Sequence, residues 1–194
     1  MPAPSIVLLA GPNGAGKTTA APTVLRDTLA VSEFVNADVL ASGLSAFASE
    51  TVSFAAGRVM IARLNELAAK RVSFAFETTL ASRVFGPWIQ KQIAAGYAFR
   101  LVFFSIATAD LAVQRVRERV QSGGHDVAAD VVRRRYKAGL RNLFQIYLPL
   151  ATTWRVYDNS VSLRLIAAGG MQVPPSIHDP ALWAELQKSY GQGK

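Results

Sequence analysis

The sequence contains no cysteine, which excludes a disulfide framework and any thiolate metal site. It also has no apolar run of the roughly 18 residues that a bilayer-spanning helix requires. The opening residues, Met1-Pro2-Ala3-Pro4-Ser5, lack the basic region that precedes the apolar core of a signal peptide, and the apolar stretch after them runs straight into a glycine-rich motif. A strand is expected there, and with it a protein of the cytoplasm that makes no use of a membrane. Internal repeats, low-complexity tracts and clear domain boundaries are missing too. With 194 residues, 51% of them hydrophobic, disorder is not a description of the whole. The chain reads as a single domain over residues 1–194 with a sizeable core.

Acidic residues are scarce, 13 against 21 basic ones, for a net charge of +8. The imbalance is local. Arg115, Arg117, Arg119, Arg133, Arg134, Arg135, Lys137 and Arg141 face only Glu118, Asp126 and Asp130, so 27 residues carry +5 of the +8. An anionic ligand is expected beside this segment. A nucleoside triphosphate and a nucleic acid both meet that demand, and composition does not separate them.

Short β-branched and aromatic runs alternate with longer helical patterns, the mark of an α/β domain with a mostly parallel sheet. Strands are expected at Ser5–Ala10, Phe34–Asn36, Ser73–Glu77, Phe99–Ile106 and Trp154–Asp158, with a sixth at Leu163–Ala168. One helix should run from the glycine-rich motif to about Leu29. Another, Glu50–Arg71, places Val52, Ala56, Met60, Leu64 and Leu67 on one face. Further helices fit Arg83–Ala95, Ala109–Gln121, and a long one capped by Asp126 or Asp130 and stopped at Tyr147 by Pro149. Gly169-Gly170 and Pro174-Pro175 mark a loop, after which Asp179-Pro180 opens a C-terminal helix over about residues 180–189. Phe103, Phe104, Trp88 and Trp154 read as core, and His125 as part of a turn without chemistry.

Gly11-Pro12-Asn13-Gly14-Ala15-Gly16-Lys17-Thr18 satisfies G-x-x-x-x-G-K-[ST] at every fixed position. The glycines let successive N–H groups point into one concavity that suits phosphate oxygens, and the helix opening at Lys17 adds its positive end. Lys17 reaches the β- and γ-phosphates and the Thr18 hydroxyl ligates Mg²⁺. An apolar strand before the motif and a helix after it are the context this mechanism needs, so ATP and Mg²⁺ are the expected cofactors.

In open α/β sheets ligands bind just past the strand ends. Asp38 follows Phe34-Val35-Asn36-Ala37 at the mouth of the second strand, and Glu77 closes Phe74-Ala75-Phe76. A carboxylate there holds Mg²⁺ or takes the proton of an acceptor hydroxyl; capping of the following helix is the alternative for both. The two arginine-rich helices, joined by Gly123-Gly124, read as a lid over about residues 115–141. Three successive helical residues point about 100° apart, so Arg133, Arg134 and Arg135 cannot all face one ligand; Arg119 and Arg134 are the favoured phosphate contacts. Tyr157-Asp158-Asn159-Ser160 ends the fifth strand, where Asn159 either contacts the purine or belongs to a plain Asx turn.

Gly11–Thr19, Phe34-Val35-Asn36-Ala37-Asp38, Phe76-Glu77-Thr78-Thr79-Leu80, Gly123-Gly124-His125-Asp126-Val127, Arg134-Arg135-Tyr136 and Tyr157-Asp158-Asn159-Ser160 occur in this order. Together, over roughly residues 4–166, they resemble the zeta-toxin-like P-loop kinases, especially a bacterial branch described as small ATPases. The resemblance implies a P-loop kinase-like three-layer αβα fold, a five-stranded mostly parallel sheet of order 2-3-1-4-5, and a helical lid. It implies Asp38 as the base, Glu77 and Thr79 at the acceptor and metal site, and lid arginines on phosphates. Members of the better-known branch phosphorylate UDP-N-acetylglucosamine and are restrained by a small antitoxin protein. This sequence departs from them at Val39-Leu40-Ala41 after Asp38 and at Ala81. The expected function is therefore transfer of a phosphoryl group to a small-molecule hydroxyl. The alternatives are a polynucleotide kinase or RNA-binding ATPase, disfavoured because the basic residues are not interleaved with aromatics, and a nucleotide-dependent switch.

Overall fold

The computed structural model describes residues 3–22, 31, 33–36, 39, 50–124 and 126–191, apart from the side chains of 50–54 and 56. Asp38, His125, the stretch 23–30 and the side chains of Val52 and Ala56, all subjects of expectations above, lie outside the described residues.

Strand β1 (Ser5–Ala10) is buried at all six positions, as its unbroken apolar run requires in a sheet covered on both faces. It lies between β3 (Phe74–Thr78) and β4 (Ala98–Ser105), with β2 (Glu33–Asn36) outside β3 and β5 (Thr153–Asp158) outside β4. These five strands are parallel and take the expected order 2-3-1-4-5. All their carboxyl ends consequently open on one edge of the sheet.

The five-strand count is corrected to seven. Beyond β5 an antiparallel hairpin, β6 (Arg164–Gly170) and β7 (Val173–Ile177), extends the sheet. Pro174-Pro175, expected in a loop, is inside β7. The aligned pairs are Ala167 with Ile177, Ala168 with Ser176 and Gly170 with Val173, so neither proline stands where a ladder donor is needed. An outermost strand tolerates proline for this reason, and proline there discourages pairing with another chain.

Helix α1 is described over Lys17–Pro22 and α2 over Glu50–Ala69, where Met60, Leu64 and Leu67 are buried as their spacing indicated. Arg71, at φ 57°, turns the chain out of α2. Helices α3 (Phe85–Ala94) and α4 (Ala109–Gln121) follow, the latter capped by the Thr108 hydroxyl, which accepts from the Leu111 N–H. Helix α5 (Ala129–Asn142) departs from expectation at both ends. Its N-cap is Ala128, with no side-chain cap; Asp130 lies inside the first turn instead, where its charge still suits the helix dipole. At the other end Pro149 does not stop the helix at Tyr147. The chain widens into a π turn over Leu143–Tyr147 and remains helical through Leu148–Leu150, so the rung that proline cannot donate falls where the ladder is already opened. Asp179 caps α6 (Pro180–Leu186) through the Leu182 N–H, as expected, and a π turn carries that helix on to Gly191.

The core gathers on the sheet. Phe103 and Phe104 are fully buried and Trp154 is nearly so, stacked 5.5 Å from Trp183 of α6. Phe74 and Phe76 meet Trp88, which is partly buried. Among the described residues no helix is long and apolar enough to cross a membrane.

Candidate active site

The turn after β1 has three glycines in conformations that side chains resist: Gly11 at φ 145°, Gly14 at 73° and Gly16 at 81°. Space forbids a side chain as well. A Cβ on Gly11 would stand 2.3 Å from the Phe104 carbonyl oxygen, and one on Gly16 would stand 2.6 Å from Asn159 Nδ2. Lys17 is 7% exposed. Its ammonium donates to the Pro12 carbonyl at 3.0 Å and sits 3.5 Å from Glu77 Oε1. Within the turn Asn13 is buried, and its Oδ1 has no hydrogen-bond partner among the described residues. Such an atom is ordinarily satisfied by a ligand or an ordered water. A turn whose glycines are pressed against their surroundings, with a buried ammonium at its base, suits a bound triphosphate.

Register brings the acid to it. Glu77 pairs with Leu9 on one side and with Asn36 on the other, so it lies between the strand that leads into the glycine turn and the strand that carries Asn36. Asn36 Nδ2 donates to Glu77 Oε2 at 2.9 Å, and the Thr18 hydroxyl donates to the same oxygen at 3.1 Å. Asn36 Oδ1 also accepts from the Val39 N–H. Thr18, Lys17, Asn36 and Glu77 thus form one cluster at the strand ends, which brings together the two residues expected to hold Mg²⁺, Thr18 and Glu77. Thr18 and Thr19 are exposed. Thr18 and Glu77 stand hydroxyl to carboxylate, and such a pair of oxygens could serve a hard cation.

The segment after Glu77 is held by α5. Gly139 passes so close that a Cβ would lie 2.3 Å from the Thr79 carbonyl oxygen. Asn142 Nδ2 donates to the Leu80 carbonyl at 2.7 Å, and the Tyr147 hydroxyl donates to Ser82 at 3.1 Å. Leu80 is fully buried at φ 58°, a conformation a branched side chain adopts only when its surroundings impose it. Tyr136 adds a further tie, donating to the Ile106 and Ala107 carbonyls beyond β4.

Of the arginines, Arg119 is half-buried and Arg117 exposed on α4, while on α5 Arg134 is exposed and Arg135 half-buried. Arg115, which the sequence did not single out, touches the phosphate-binding turn. Its Nη1 donates to the Gly14 and Asn159 carbonyls at 3.2 and 2.8 Å, and its Nη2 to the Ser160 carbonyl at 2.8 Å. Asn159 reaches the turn too, donating from Nδ2 to the Ala15 carbonyl at 2.9 Å. Next to it Asp158 forms an Asx turn by accepting from the Ser160 N–H. Burial alone would raise the Asp158 carboxyl pKa. Hydrogen bonds from Ser160 and Arg164 outweigh that and hold it below its ordinary value.

The sequence matches the zeta toxin family over residues 1–167. The chain belongs to that family. An uncharacterized protein of Haemophilus influenzae is 26% identical over 132 residues, covering 67% of this chain and 91% of its own. Among solved structures, AvrRxo1-ORF1:-ORF2 with ATP superposes with a TM-score of 0.78 at 17% identity, over 100% of this chain and 65% of that one. This zeta toxin family member therefore spans about two thirds of the length of that neighbour. A structure from the PezAT chromosomal toxin–antitoxin system of Streptococcus pneumoniae superposes with a TM-score of 0.63 at 18% identity, over 98% and 80%. At these identities the likeness is one of fold, a P-loop kinase-like α/β domain.

Proposed function

We propose that this zeta toxin family member is a kinase that transfers the γ-phosphate of ATP, in the presence of Mg²⁺, to a hydroxyl of a small molecule. The observation that carries the reading is the Glu77 cluster. A carboxylate beside the phosphate lysine and the P-loop threonine is the arrangement with which P-loop NTPases hold Mg²⁺, and the zeta toxin family match favours a transferase over a switch. The turn Gly11–Thr18 would cradle the phosphates, with Lys17 on the β- and γ-groups and Asn159 at the edge of the turn. Thr18 and Glu77 would hold Mg²⁺, whose charge offsets that building up on the phosphates. Glu77 and Thr79 would line the acceptor side, with Asp38 as the base that takes the acceptor's proton.

Arg119 lies one helical turn beyond Arg115, on the face of α4 that meets the phosphate-binding turn, which supports it as the lid arginine. Arg134 is the weaker candidate, being exposed. The lid would span about residues 115–141 within one domain, tied down by Arg115 on α4 and Tyr136 on α5. The family supports an antitoxin partner, as in the PezAT system, and UDP-N-acetylglucosamine defines the acceptor class by analogy. Val39-Leu40-Ala41 and Ala81 direct the search to other hydroxylated metabolites as well.

Incubation with γ-labelled ATP and a metabolite extract, followed by identification of the labelled product, tests the proposal. The wild-type protein is expected to label a small molecule. Asp38→Asn and Glu77→Gln are each expected to fold, and Asp38→Asn to lose ~10²–10⁴ in transfer rate. An extract in which only RNA is labelled would replace this reading with that of a polynucleotide kinase.

A further inference from the structure

We propose that Arg115 is a positioning residue for the phosphate-binding turn, setting its peptide planes before any ligand arrives; the proposal rests on the nucleotide reading above. The guanidinium lies between two loops far apart in sequence. It takes three carbonyls as acceptors, Gly14 from one loop and Asn159 and Ser160 from the other. It forms no ion pair with a carboxylate among the described residues. Its charge therefore adds to the potential of the anion site instead of being cancelled.

A trans peptide points the carbonyl of one residue and the N–H of the next in opposite directions. Holding the Gly14 carbonyl against Arg115 turns the Ala15 N–H the other way, where the Pro12 carbonyl accepts it at 3.2 Å. Holding the Ala15 carbonyl against Asn159 Nδ2 turns the Gly16 N–H away from Asn159 and into the cradle. Asn159 is itself fixed at both backbone groups. Its N–H donates to Ser105 at 2.8 Å and its carbonyl accepts from Arg115. Arg115 thus acts on the turn directly at Gly14 and through Asn159 at Ala15. The fit is close, since a Cβ on Gly14 would stand 2.9 Å from the Arg115 Cβ. A planar fork with several fixed N–H groups can serve three acceptors on two loops at once, and an ammonium cannot.

The test titrates wild type, Arg115→Ala and Arg115→Lys with Mg²⁺-pyrophosphate and with Mg²⁺-ATP, by calorimetry. Amide hydrogen exchange of residues 14–16 in the ligand-free proteins runs beside it. If the competent turn becomes a minor population, apparent affinity falls by the same fraction. Both variants are expected to lose about tenfold or more for pyrophosphate as well as for ATP, with exchange at 14–16 faster by a similar factor. Full pyrophosphate affinity with only ATP weakened would overturn the proposal, because Arg115 would then touch the nucleoside. Wild-type affinity in Arg115→Lys would also overturn it, since charge alone would suffice. Should Arg115→Ala fail to fold, Arg115→Lys and its exchange rates decide alone. A wild-type protein that binds neither ligand sinks the nucleotide reading, while unchanged exchange in Arg115→Lys sinks the positioning role by itself.

Discussion

Asn36 and Glu77 are neighbours in register on β2 and β3, and their side chains meet at 2.9 Å. The amide donates to one carboxylate oxygen and leaves the other beside Lys17. Replacing the donor separates orientation from charge. Asn36→Ser shortens the reach, so Glu77 loses a fixed direction but keeps its charge. Asn36→Asp sets a second carboxylate against the first, and two like charges in contact cannot both ionise without cost. Transfer should therefore need more Mg²⁺ in Asn36→Ser, and the loss should be deeper in Asn36→Asp. Rate against Mg²⁺ concentration measures both, and identical curves for the three proteins would remove Asn36 from the site. Residues of this kind differ in how well the sequence reveals them. Lys17 and Thr18 are legible because the turn chemistry is local and its spacing fixed. Arg115 is not, because its partners are backbone carbonyls 44 to 101 positions away, and every residue carries a carbonyl.

Elements were legible where periodicity and turn chemistry dominate, and not where a neighbour overrides them. Helix α4 has the expected bounds, and β1 matches its apolar run. Strand β7 escaped notice because its prolines break the local pattern while costing nothing at a sheet edge, and the π turn after α5 has no sequence signature of its own. That turn carries Tyr147, which is fully buried. Burial pushes its phenol up to about 12 from 10.0, with the Arg83 charge pulling the other way. The folded state holds the proton more tightly than the unfolded chain. The associated stability is therefore complete below pH 10 and lost as pH rises through 12. Tyr136 shifts in the same direction, also by burial. Tyr147→Phe should begin about 1 kcal/mol less stable at pH 8, through its lost hydrogen bond to Ser82, and then decline less than wild type toward pH 11. Urea midpoints at the two pH values measure the difference. Parallel declines would mean that Tyr147 is not a titrating group.

At the scale of the molecule, the net charge of +8 and the proposed nucleotide site predict different responses to polyanions, and heat unfolding separates them. A ligand that binds the folded state alone stabilises it by about 2.7 kcal/mol at 100 times its dissociation constant. In a chain of this size each kcal/mol moves the midpoint by about 2–4 °C. Saturating ATP with Mg²⁺ should thus raise the midpoint by about 5–10 °C. Lys17→Ala should abolish most of that rise at the same concentration, because the ammonium is the buried cation of the cradle. A single-stranded RNA should also stabilise the wild type at low salt, by drawing on the arginines of α4 and α5. That attraction is driven by counterion release, and 6–10 phosphate contacts lose about 10³–10⁵ in affinity between 50 and 200 mM salt. The RNA response is therefore expected to vanish at 200 mM salt and to be indifferent to Lys17→Ala, while the ATP response persists at that salt and depends on Lys17. If RNA still stabilises the protein at 200 mM salt and ATP never does, the basic helices are a nucleic-acid surface and the small-molecule kinase reading fails.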